Sequence, residues 1–273
     1  MTQPYNPLGR RTEYPKKYDS GLLFAISRQR GRDALSLSSK DLPFYGFDLW
    51  TAFEVSWLDR GGKPVVKIAE FSLPCNTDHI VESKSLKLYL NSLNQQRFES
   101  PSKVAAVLEE DLSTCVNGPV MVDLYTLDNY ARQGLQVMPG HCLDNLDVKV
   151  DTYQPDASLL RLDDGGIVSE SLYSHLLKTN CPVTGQPDWA SVLVKYTGSP
   201  INRESLLAYL ISYRDHQDFH EQCVERIFME ILEVCQPREL EVCARYTRRG
   251  GIDINPYRST SMREPIKLRV SRQ

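Results

Sequence analysis

The order of apolar and polar positions divides the chain into two stretches with the same succession of elements. In the first stretch, two segments alternate β-branched or aromatic residues with polar ones, and Asp59-Arg60-Gly61-Gly62 between them is typical of a hairpin turn. Apolar residues then recur three and four positions apart, which is the spacing of one helical face. The pattern predicts strands at 47–58 and 63–74, helices at 82–98 and 102–117, and strands at 118–127 and 134–140.

The second stretch repeats this order, and several residues recur 120 positions later. Ser85-Leu86 corresponds to Ser205-Leu206, and Tyr89-Leu90 corresponds to Tyr209-Leu210. An internal repeat indicates two copies of one structural unit. We therefore predict an α+β fold of two modules, each an antiparallel sheet with its helices on one face. The elements predicted here are strands at 166–177 and 189–198, helices at 202–216 and 218–235, a strand at 239–249 and an extended segment at 251–256.

The same pattern predicts where the modules begin and end. Residues 1–45 are rich in proline, basic residues and serine, and we expect them to form an arm that lies over the body. The first module is predicted at 46–140, a polar linker at 141–156 and the second module at 157–273. Because open sheets leave exposed edges, we expect the modules to pair and the chain to form a homodimer.

The bulk properties are those of an ordinary soluble chain. Its 273 residues are 41% hydrophobic and 25% charged, with a net charge of -3, which gives no general attraction to nucleic acid or to anionic membranes. The longest apolar run near the N-terminus, Leu22 to Ile26, is too short for a signal peptide or a membrane span. We expect a cytoplasmic protein with no membrane partner and no direct nucleic acid binding.

The seven cysteines are expected to be free thiols, because their number is odd and they form no C-x-x-C pair. Two combinations could be imagined as zinc ligands, His141-Cys142 and the pair His220 and Cys223. Neither has the four-ligand spacing of a structural zinc site. The sequence therefore predicts no metal.

The segment from Cys181 to Asp188, CPVTGQPD, is the strongest candidate for chemistry. Its prolines and its glycine favour an irregular loop, on which a thiol is accessible to a ligand. The loop would let both residues serve one bound molecule, Cys181 as nucleophile and Asp188 as proton donor. The residues alone leave open the commoner case of a small buried thiol.

A second candidate group lies at the start of the first predicted helix. Glu82 and Ser83 stand where free backbone N–H groups and the helix dipole attract anions, with Lys84 and Lys87 close by. These residues would form a seat for a phosphate. The alternative is an amphipathic helix whose lysines are simply solvated.

Two further groups belong to the second stretch. His220 and Glu221 begin the last long helix, where a carboxylate can accept the N–H and NH2 groups of a guanine-like base or lie unused at the surface. Arg249 and Gly250 belong to an RRGG segment at the end of a strand, which is either a phosphate site or a solvated turn. Because the two stretches carry different polar groups, a composite site between associated modules is expected.

Four motifs, taken together, resemble the long, two-module form of the NADPH-dependent 7-cyano-7-deazaguanine reductases, the nitrile reductases of queuosine biosynthesis. They are ESKSLKLY at 82–89, NCPVTGQPDWA at 180–190, FHE at 219–221 and RRGG at 248–251. The resemblance extends over nearly the whole chain. It implies the tunnelling fold, in which such modules assemble side by side and bind purine-like or pterin-like rings at their interfaces.

The resemblance also implies a reaction. Cys181 would attack the nitrile carbon to give a covalent thioimide, Asp188 would protonate the nitrogen, and two hydride transfers from NADPH would follow, with His220 assisting proton transfer. An acid in this role needs a raised pKa, so we expect Asp188 in a partly desolvated setting that a ligand covering the loop supplies. The implied substrate-binding residues are Val81, Glu82, Ser83, His220 and Glu221. The implied cofactor-binding residues are Ser83, Lys84, Arg249 and Gly250.

Two other classes of protein stay open. A cyclohydrolase- or pterin-type enzyme of the same fold would bind related rings, and a zinc-dependent one would need a set of metal ligands. A non-catalytic RNA-associated module would bind RNA in a salt-sensitive way and would be indifferent to loss of the Cys181 thiol. Its contacts would come from a basic tail that contains Arg258, Arg263, Lys267, Arg269 and Arg272.

Overall fold

The computed structural model describes residues 14–39, 41–264 and 267–273. Within these ranges it has ten strands and six α-helices. The strands are β1 (Ala25–Ser27), β2 (Tyr45–Leu58), β3 (Pro64–Pro74), β4 (His79–Val81), β5 (Met121–Tyr125), β6 (His141–Cys142), β7 (Val168–Asn180), β8 (Pro187–Gly198), β9 (Glu239–Tyr246) and β10 (Ile252–Ser259). The helices are α1 (Gln29–Arg32), α2 (Ser83–Ser92), α3 (Pro101–Val116), α4 (Leu127–Ala131), α5 (Arg203–Ser212) and α6 (His220–Cys235).

Eight of these strands form one sheet, in the order β5-β3-β2-β10-β9-β8-β7-β6. Neighbouring strands are antiparallel, except that the short β6 pairs with β7 in parallel. β10 pairs with β2 along all 8 of its residues and with β9 through Tyr257–Ser259. The extended segment predicted at 251–256 is therefore the strand that joins the two halves of the sheet.

The longer helices pack on the sheet through two hydrophobic cores. α2 and α3 bury side chains such as Leu86 and Leu108 in a cluster with Trp50 of β2. α5 and α6 bury Tyr209 and Phe228 in a second cluster that includes residues of β7, β8 and β9. Each large apolar side chain buried in this way contributes roughly 1.5–3 kcal/mol. The predicted α+β class, with helices packed on an antiparallel sheet, is confirmed.

The starts of α3 and α6 differ, although both helices have 16 residues. The hydroxyl of Ser100 caps α3 by accepting from the N–H of Lys103 at 3.2 Å, and Pro101 occupies the first turn, where its missing N–H is not needed. α6 begins after Phe219, whose side chain makes no capping hydrogen bond. Within the described ranges, the residue before α6 thus provides no side-chain cap for the first turn of this helix.

The arm is described from residue 14 onward, and the earlier part of its predicted range lies outside the described residues. Within it, Arg28 lies 2.6 Å from the carboxylate of Asp48, and Arg32 lies 2.7 Å from that of Glu225. Arg258 of β10 contacts both carboxylates at 2.8 Å. Removing one member of such a buried network costs about 3–5 kcal/mol. These ion pairs fix the arm against β2, β10 and α6.

The strand predicted at 134–140 is wrong. This segment follows α4, which is capped by the hydroxyl of Thr126 accepting from the N–H of Asn129 at 3.1 Å. The N–H of Gln136 donates to the carbonyl of Arg269 at 2.8 Å rather than to a strand of the sheet. Met138 of this segment shares a hydrophobic cluster with Leu268 and Val270, so the segment packs against residues near the C-terminus instead of extending the sheet.

Several other boundaries differ from the prediction; for example, the helix predicted at 202–216 is α5, which ends at Ser212. The helix predicted at 82–98 ends at Ser92, because the residues that follow bond to the end of β2. The N–H of Leu58 donates to the carbonyl of Gln96, and the carbonyl of Leu58 accepts from the N–H of Phe98. The predicted linker at 141–156 contains β6, which pairs with Leu172 and Tyr173. The division into modules stays a prediction.

Among the described helices, none combines the length and the apolar character that crossing a membrane requires.

Candidate active site

A cleft opens where the two halves of the sheet meet at β10. Its volume is about 650 Å3, including the space open to solvent. Trp50, Ile252 and Ile254 contribute apolar walls. The residues predicted from the sequence that line this cleft are Val81, Glu82, Ser83, Cys181, Asp188, His220, Glu221 and Arg249; Lys84 and Gly250 lie outside its lining.

Cys181 lies on the turn that connects β7 to β8. Its N–H donates to the carbonyl of Gln186, and its carbonyl accepts from the N–H of Gly185, both at 2.9 Å. Gly185 has a φ of +68°, which a residue with a side chain rarely adopts. The thiol is half-buried at the cleft, whereas Cys223 and Cys243 are fully packed in the interior. The loop thus holds the sulfur where a ligand can reach it.

Asp188 is a buried carboxylate at the start of β8, held by two cationic or polar partners. Its Oδ1 accepts a hydrogen bond from the guanidinium of Arg249, and its Oδ2 lies 3.3 Å from Nε2 of His220. Burial acts to raise the pKa of Asp188, but the hydrogen bonds and charges of His220 and Arg249 outweigh it and hold the pKa below its ordinary value. In this ligand-free state the pKa of Asp188 is therefore low, and the raised pKa expected when a ligand covers the loop stays a prediction.

Glu221 is fully buried beside the cleft, in the first turn of α6. Burial, followed by the negative charge of Asp48, raises its pKa to about 8. Within the described part of the chain, its Oε1 has no hydrogen-bond partner. A buried polar atom without a partner is costly, so this oxygen is available to a donor group of a ligand.

Glu82 caps α2 from the opposite side of the cleft. Its carboxylate accepts from the N–H groups of Lys84 and Ser85 at 2.9 and 2.7 Å. Burial raises the pKa of Glu82 above its ordinary value, against the opposing effect of these two hydrogen bonds. Glu82 and Glu221 therefore titrate higher than usual while Asp188 titrates lower, a separation that is typical of acid–base sites.

Lys87 also lines the cleft. The sequence places it in the predicted phosphate seat, but the resemblance does not include it among the cofactor-binding residues. It follows Ser83 by four residues on α2, so the helical repeat places both on one face. Burial, together with the charge of Arg249, lowers its pKa. Gly250, at a φ of +59°, lies so close that a Cβ there would be 3.2 Å from Cε of Lys87. The glycine thus makes room for the lysine.

Arg249 is engaged by the protein itself. Besides its bond to Asp188, it donates to Oε1 of Gln186 at 2.7 Å. The phosphate-binding role predicted for Arg249 would need these contacts to be exchanged for ligand oxygens. Lys87 and Arg249 are cations of the cleft lining that fit a phosphorylated cofactor.

One group outside the cleft could hold a metal ion. Cys142, Asp144 and His175 offer ligand atoms that lie within 4.8 Å of one another. The carboxylate of Asp144 already accepts from the hydroxyl of Ser174 at 2.6 Å and from the N–H of His175 at 3.1 Å. This group differs from both combinations considered from the sequence: it shares only Cys142 with the pair His141-Cys142 and contains neither His220 nor Cys223. None of its members lines the cleft.

The cleft combines a thiol with an acid–histidine pair and two cations, which are groups that enzymes use for nucleophilic and acid–base catalysis. Residues 14–124 match the family described as "Nitrile reductase, 7-cyano-7-deazaguanine-reductase N-term", and residues 187–265 match "QueF-like protein". The chain belongs to the family of the NADPH-dependent 7-cyano-7-deazaguanine reductases, and the resemblance found in its motifs is confirmed.

Two curated relatives carry that family name. The protein of Chromohalobacter salexigens is 51% identical over 273 residues, which are 100% of this chain and 98% of the relative. The protein of Azoarcus sp. strain BH72 is 53% identical over 255 residues, which are 93% of this chain and 90% of the relative. Among solved structures, the archaeosine synthase QueF-Like in its apo form aligns with 37% of this chain and 100% of its own, at 16% identity and a TM-score of 0.32. A similarity this low supports no conclusion about the present chain.

Proposed function

We propose that this chain reduces the nitrile of 7-cyano-7-deazaguanine to the aminomethyl group of 7-aminomethyl-7-deazaguanine, with NADPH as reductant, in tRNA queuosine biosynthesis. The observation that carries the proposal is the single cleft in which Cys181 and the Asp188–His220 pair are joined by buried Glu82 and Glu221. The names of the two curated relatives supply the substrate and the reductant.

The base is recognised by carboxyl groups from both halves of the chain. A deazaguanine ring presents an N–H and an NH2 group side by side, and a carboxylate can accept both. Glu221, with a buried oxygen that lacks a partner among the described groups, takes this edge of the ring. Glu82, fixed by its hydrogen bonds to the start of α2, takes a further donor of the base, together with Val81 and Ser83.

Covalent capture of the nitrile begins with Cys181. The sulfur adds to the nitrile carbon, so that one C–N π bond is lost and a C–S bond forms. Asp188, which is ionised in the ligand-free state, accepts the thiol proton and passes it to the nitrile nitrogen. The product is a thioimide, whose C=N group accepts hydride more readily than the nitrile does.

Reduction of the thioimide requires NADPH to bind near it, and the cations of the cleft would hold this cofactor. NADPH would supply the two hydrides, and Ser83, Lys84, Lys87, Arg249 and Gly250 are the residues available to hold it. His220 lies 3.3 Å from Asp188, at the start of α6, and assists the delivery of protons to the nitrogen. Any contact that draws Arg249 away from Asp188 would remove one cause of its low pKa, and so help this carboxyl group to carry a proton.

The assembly in which this chemistry takes place follows from the repeat. We propose tandem tunnelling-fold modules that pair in a cytoplasmic homodimer without direct nucleic acid binding. Support comes from the repeated order of helices and strands, and from β5 and β6, which leave an unpaired edge at either end of the sheet. The net charge of -3 gives no general pull toward nucleic acid.

Steady-state reduction tests the proposed function. The purified protein is mixed with 7-cyano-7-deazaguanine and NADPH, and both NADPH oxidation and the amine product are followed. Two NADPH should be consumed for each amine formed. Cys181→Ala should abolish the reaction, and Cys115→Ala, which alters a half-buried thiol of the first half, should leave it intact. A protein that oxidises no NADPH with this nitrile would overturn the proposal.

A further inference from the structure

The imidazole of His220 lies flat against the ring of Tyr246. The ring centroids are 3.8 Å apart, and the ring planes differ by 8°. Tyr246 is 0% exposed and is held near the end of β9 by pairing with Ala190 of β8. His220 is the first residue of α6, which packs in the same hydrophobic core as Tyr246. Both partners of the stack therefore sit on rigid elements.

The stack can fix the orientation of the imidazole, which in most catalytic histidines is fixed by a hydrogen bond. A catalytic histidine is commonly oriented through the ring nitrogen that faces away from the reaction. Nδ1 of His220 is buried, and among the residues that the structure describes no group forms a hydrogen bond with it. Nε2 lies 3.3 Å from Oδ2 of Asp188, a single contact about which the ring could still turn. The face of Tyr246 removes that freedom.

We propose that Tyr246 is a positioning residue of the reduction, whose ring holds His220 with Nε2 directed toward Asp188. The proposal rests on the proposed function, because it concerns how His220 delivers protons. The aromatic face is the part that acts, and the hydroxyl is dispensable. The ring of Tyr246 is thus a further determinant of turnover that belongs to none of the four motifs.

Two substitutions separate the ring from its hydroxyl. Tyr246→Phe keeps the stack, so kcat should stay within about twofold of the original. Tyr246→Leu keeps an apolar side chain but removes the stack, so kcat should fall about tenfold, a part of the effect of a general acid or base. KM for the nitrile should change less than about threefold, and the thioimide should still form without cofactor, because Cys181 and Asp188 are untouched.

A matched control excludes general loosening of the core. Tyr213 is also 0% exposed in this core but contacts His216 and Tyr209 rather than His220. Tyr213→Leu should lower the melting temperature and leave kcat within about twofold. An equal loss of kcat in Tyr213→Leu and Tyr246→Leu would overturn the proposal. If Tyr246→Leu does not purify as a folded protein, Tyr246→Met carries the same expectation.

The decisive readout is a double-mutant cycle. If Tyr246 acts through His220, adding Tyr246→Leu to His220→Ala should lower kcat by less than about twofold further. A full tenfold loss in that background would overturn the proposal, and so would a Tyr246→Phe variant as slow as Tyr246→Leu. Failure of the proposed function itself is distinct, since the unsubstituted protein would then form no thioimide and oxidise no NADPH.

Discussion

The starts of α2 and α5 are built alike and face different surroundings. Glu82 and Asn202, 120 positions apart, each cap their helix: Glu82 accepts from the N–H of Ser85 at 2.7 Å, and Asn202 accepts from that of Ser205 at 2.9 Å. The hydroxyl of each serine donates to the carbonyl of its capping residue, at 2.7 and 2.8 Å. The repeat is thus duplicated down to single hydrogen bonds.

The difference lies in what each helix start faces. Glu82 is 3% exposed and lines the cleft, whereas the amide of Asn202 donates to Asp163 at 2.8 Å in an exposed contact. α3 and α6 differ in the same way, because Pro101 and its neighbour are exposed while the first residues of α6 line the cleft. The capping hydrogen bonds therefore recur in both halves, whereas the cleft is lined by the start of α2 in one half and the start of α6 in the other.

The largest difference in kcat is expected between substitutions in the hairpin turns of the two halves. Asp188→Asn should lower kcat about 1,000-fold, because an amide cannot take the thiol proton and return it to the nitrile nitrogen. The carboxylate of Asp59 in the first hairpin accepts from the N–H of Lys63, at 2.9 Å, and Asp59→Asn should leave kcat unchanged. Product formation measured by mass spectrometry decides. A loss of less than tenfold in Asp188→Asn would contradict the role of this carboxyl group.

The next effect concerns the two helix caps. Glu82→Gln keeps an acceptor for the helix N–H groups but removes the charge that faces the base, so kcat/KM for the nitrile should fall about 100-fold. The free energy of unfolding should change by no more than about 1 kcal/mol. Steady-state kinetics and urea unfolding measure the two effects. A variant that loses stability but no activity would make Glu82 a structural cap like Asn202.

A smaller effect depends on pH. With a pKa of about 8, Glu221 is mostly protonated at pH 7 and becomes an acceptor for the base as it ionises. Affinity for 7-cyano-7-deazaguanine should therefore rise about tenfold from pH 7 to pH 9, as the ionised fraction rises. Calorimetric titration checks this, and Glu221→Gln should remove the dependence. Affinity that fell over this range would contradict the assignment.

The same residue sets a dependence of stability on pH. Because folding raises the pKa of Glu221 above its ordinary value of 4.5, the stability it contributes is fully present below that value and is lost as the pH rises through about 8. Glu221→Gln should therefore flatten the fall in the free energy of unfolding between pH 5 and pH 9. Urea unfolding across this range shows the effect, and an unchanged slope would contradict it.

The smallest effect is purely structural. Asn202→Ala removes the cap of α5 and should lower the free energy of unfolding by about 1 kcal/mol. Turnover should stay within about twofold, because this helix start lies outside the cleft lining. Urea unfolding and steady-state kinetics on one preparation check both. A large loss of turnover would contradict the view that Asn202 is only a structural cap while Glu82 acts in the site.

The spacing of apolar residues within short segments predicts most of the longer helices and strands of this molecule. The helices expected at 102–117 and 218–235 match α3 and α6 closely, because their apolar stripes and their ends are encoded within the helix. Contacts between distant segments could not be predicted in this way. The pairing of β10 with both β2 and β9 depends on the whole sheet. The contact of Gln136 with Arg269, which takes the place of the strand predicted at 134–140, likewise joins distant parts of the chain.

The same limit applies to the candidate site. Motif residues such as Cys181 and Glu221 could be named from the sequence, but the environment of Asp188 could not. Its pKa depends on Arg249, 61 positions away, and on His220. The stack of Tyr246 on His220 likewise joins a strand to a helix start and has no signal in local spacing. Charges and ring contacts brought together by folding decide what the named residues can do.

The most direct test of the account is the intact mass of the protein after incubation with 7-cyano-7-deazaguanine and no cofactor. The addition of Cys181 to the nitrile predicts a mass increase equal to the whole nitrile molecule, one per chain, absent in Cys181→Ala and present in Cys115→Ala. An unchanged mass for the unsubstituted protein, or an adduct that persists in Cys181→Ala, would contradict it.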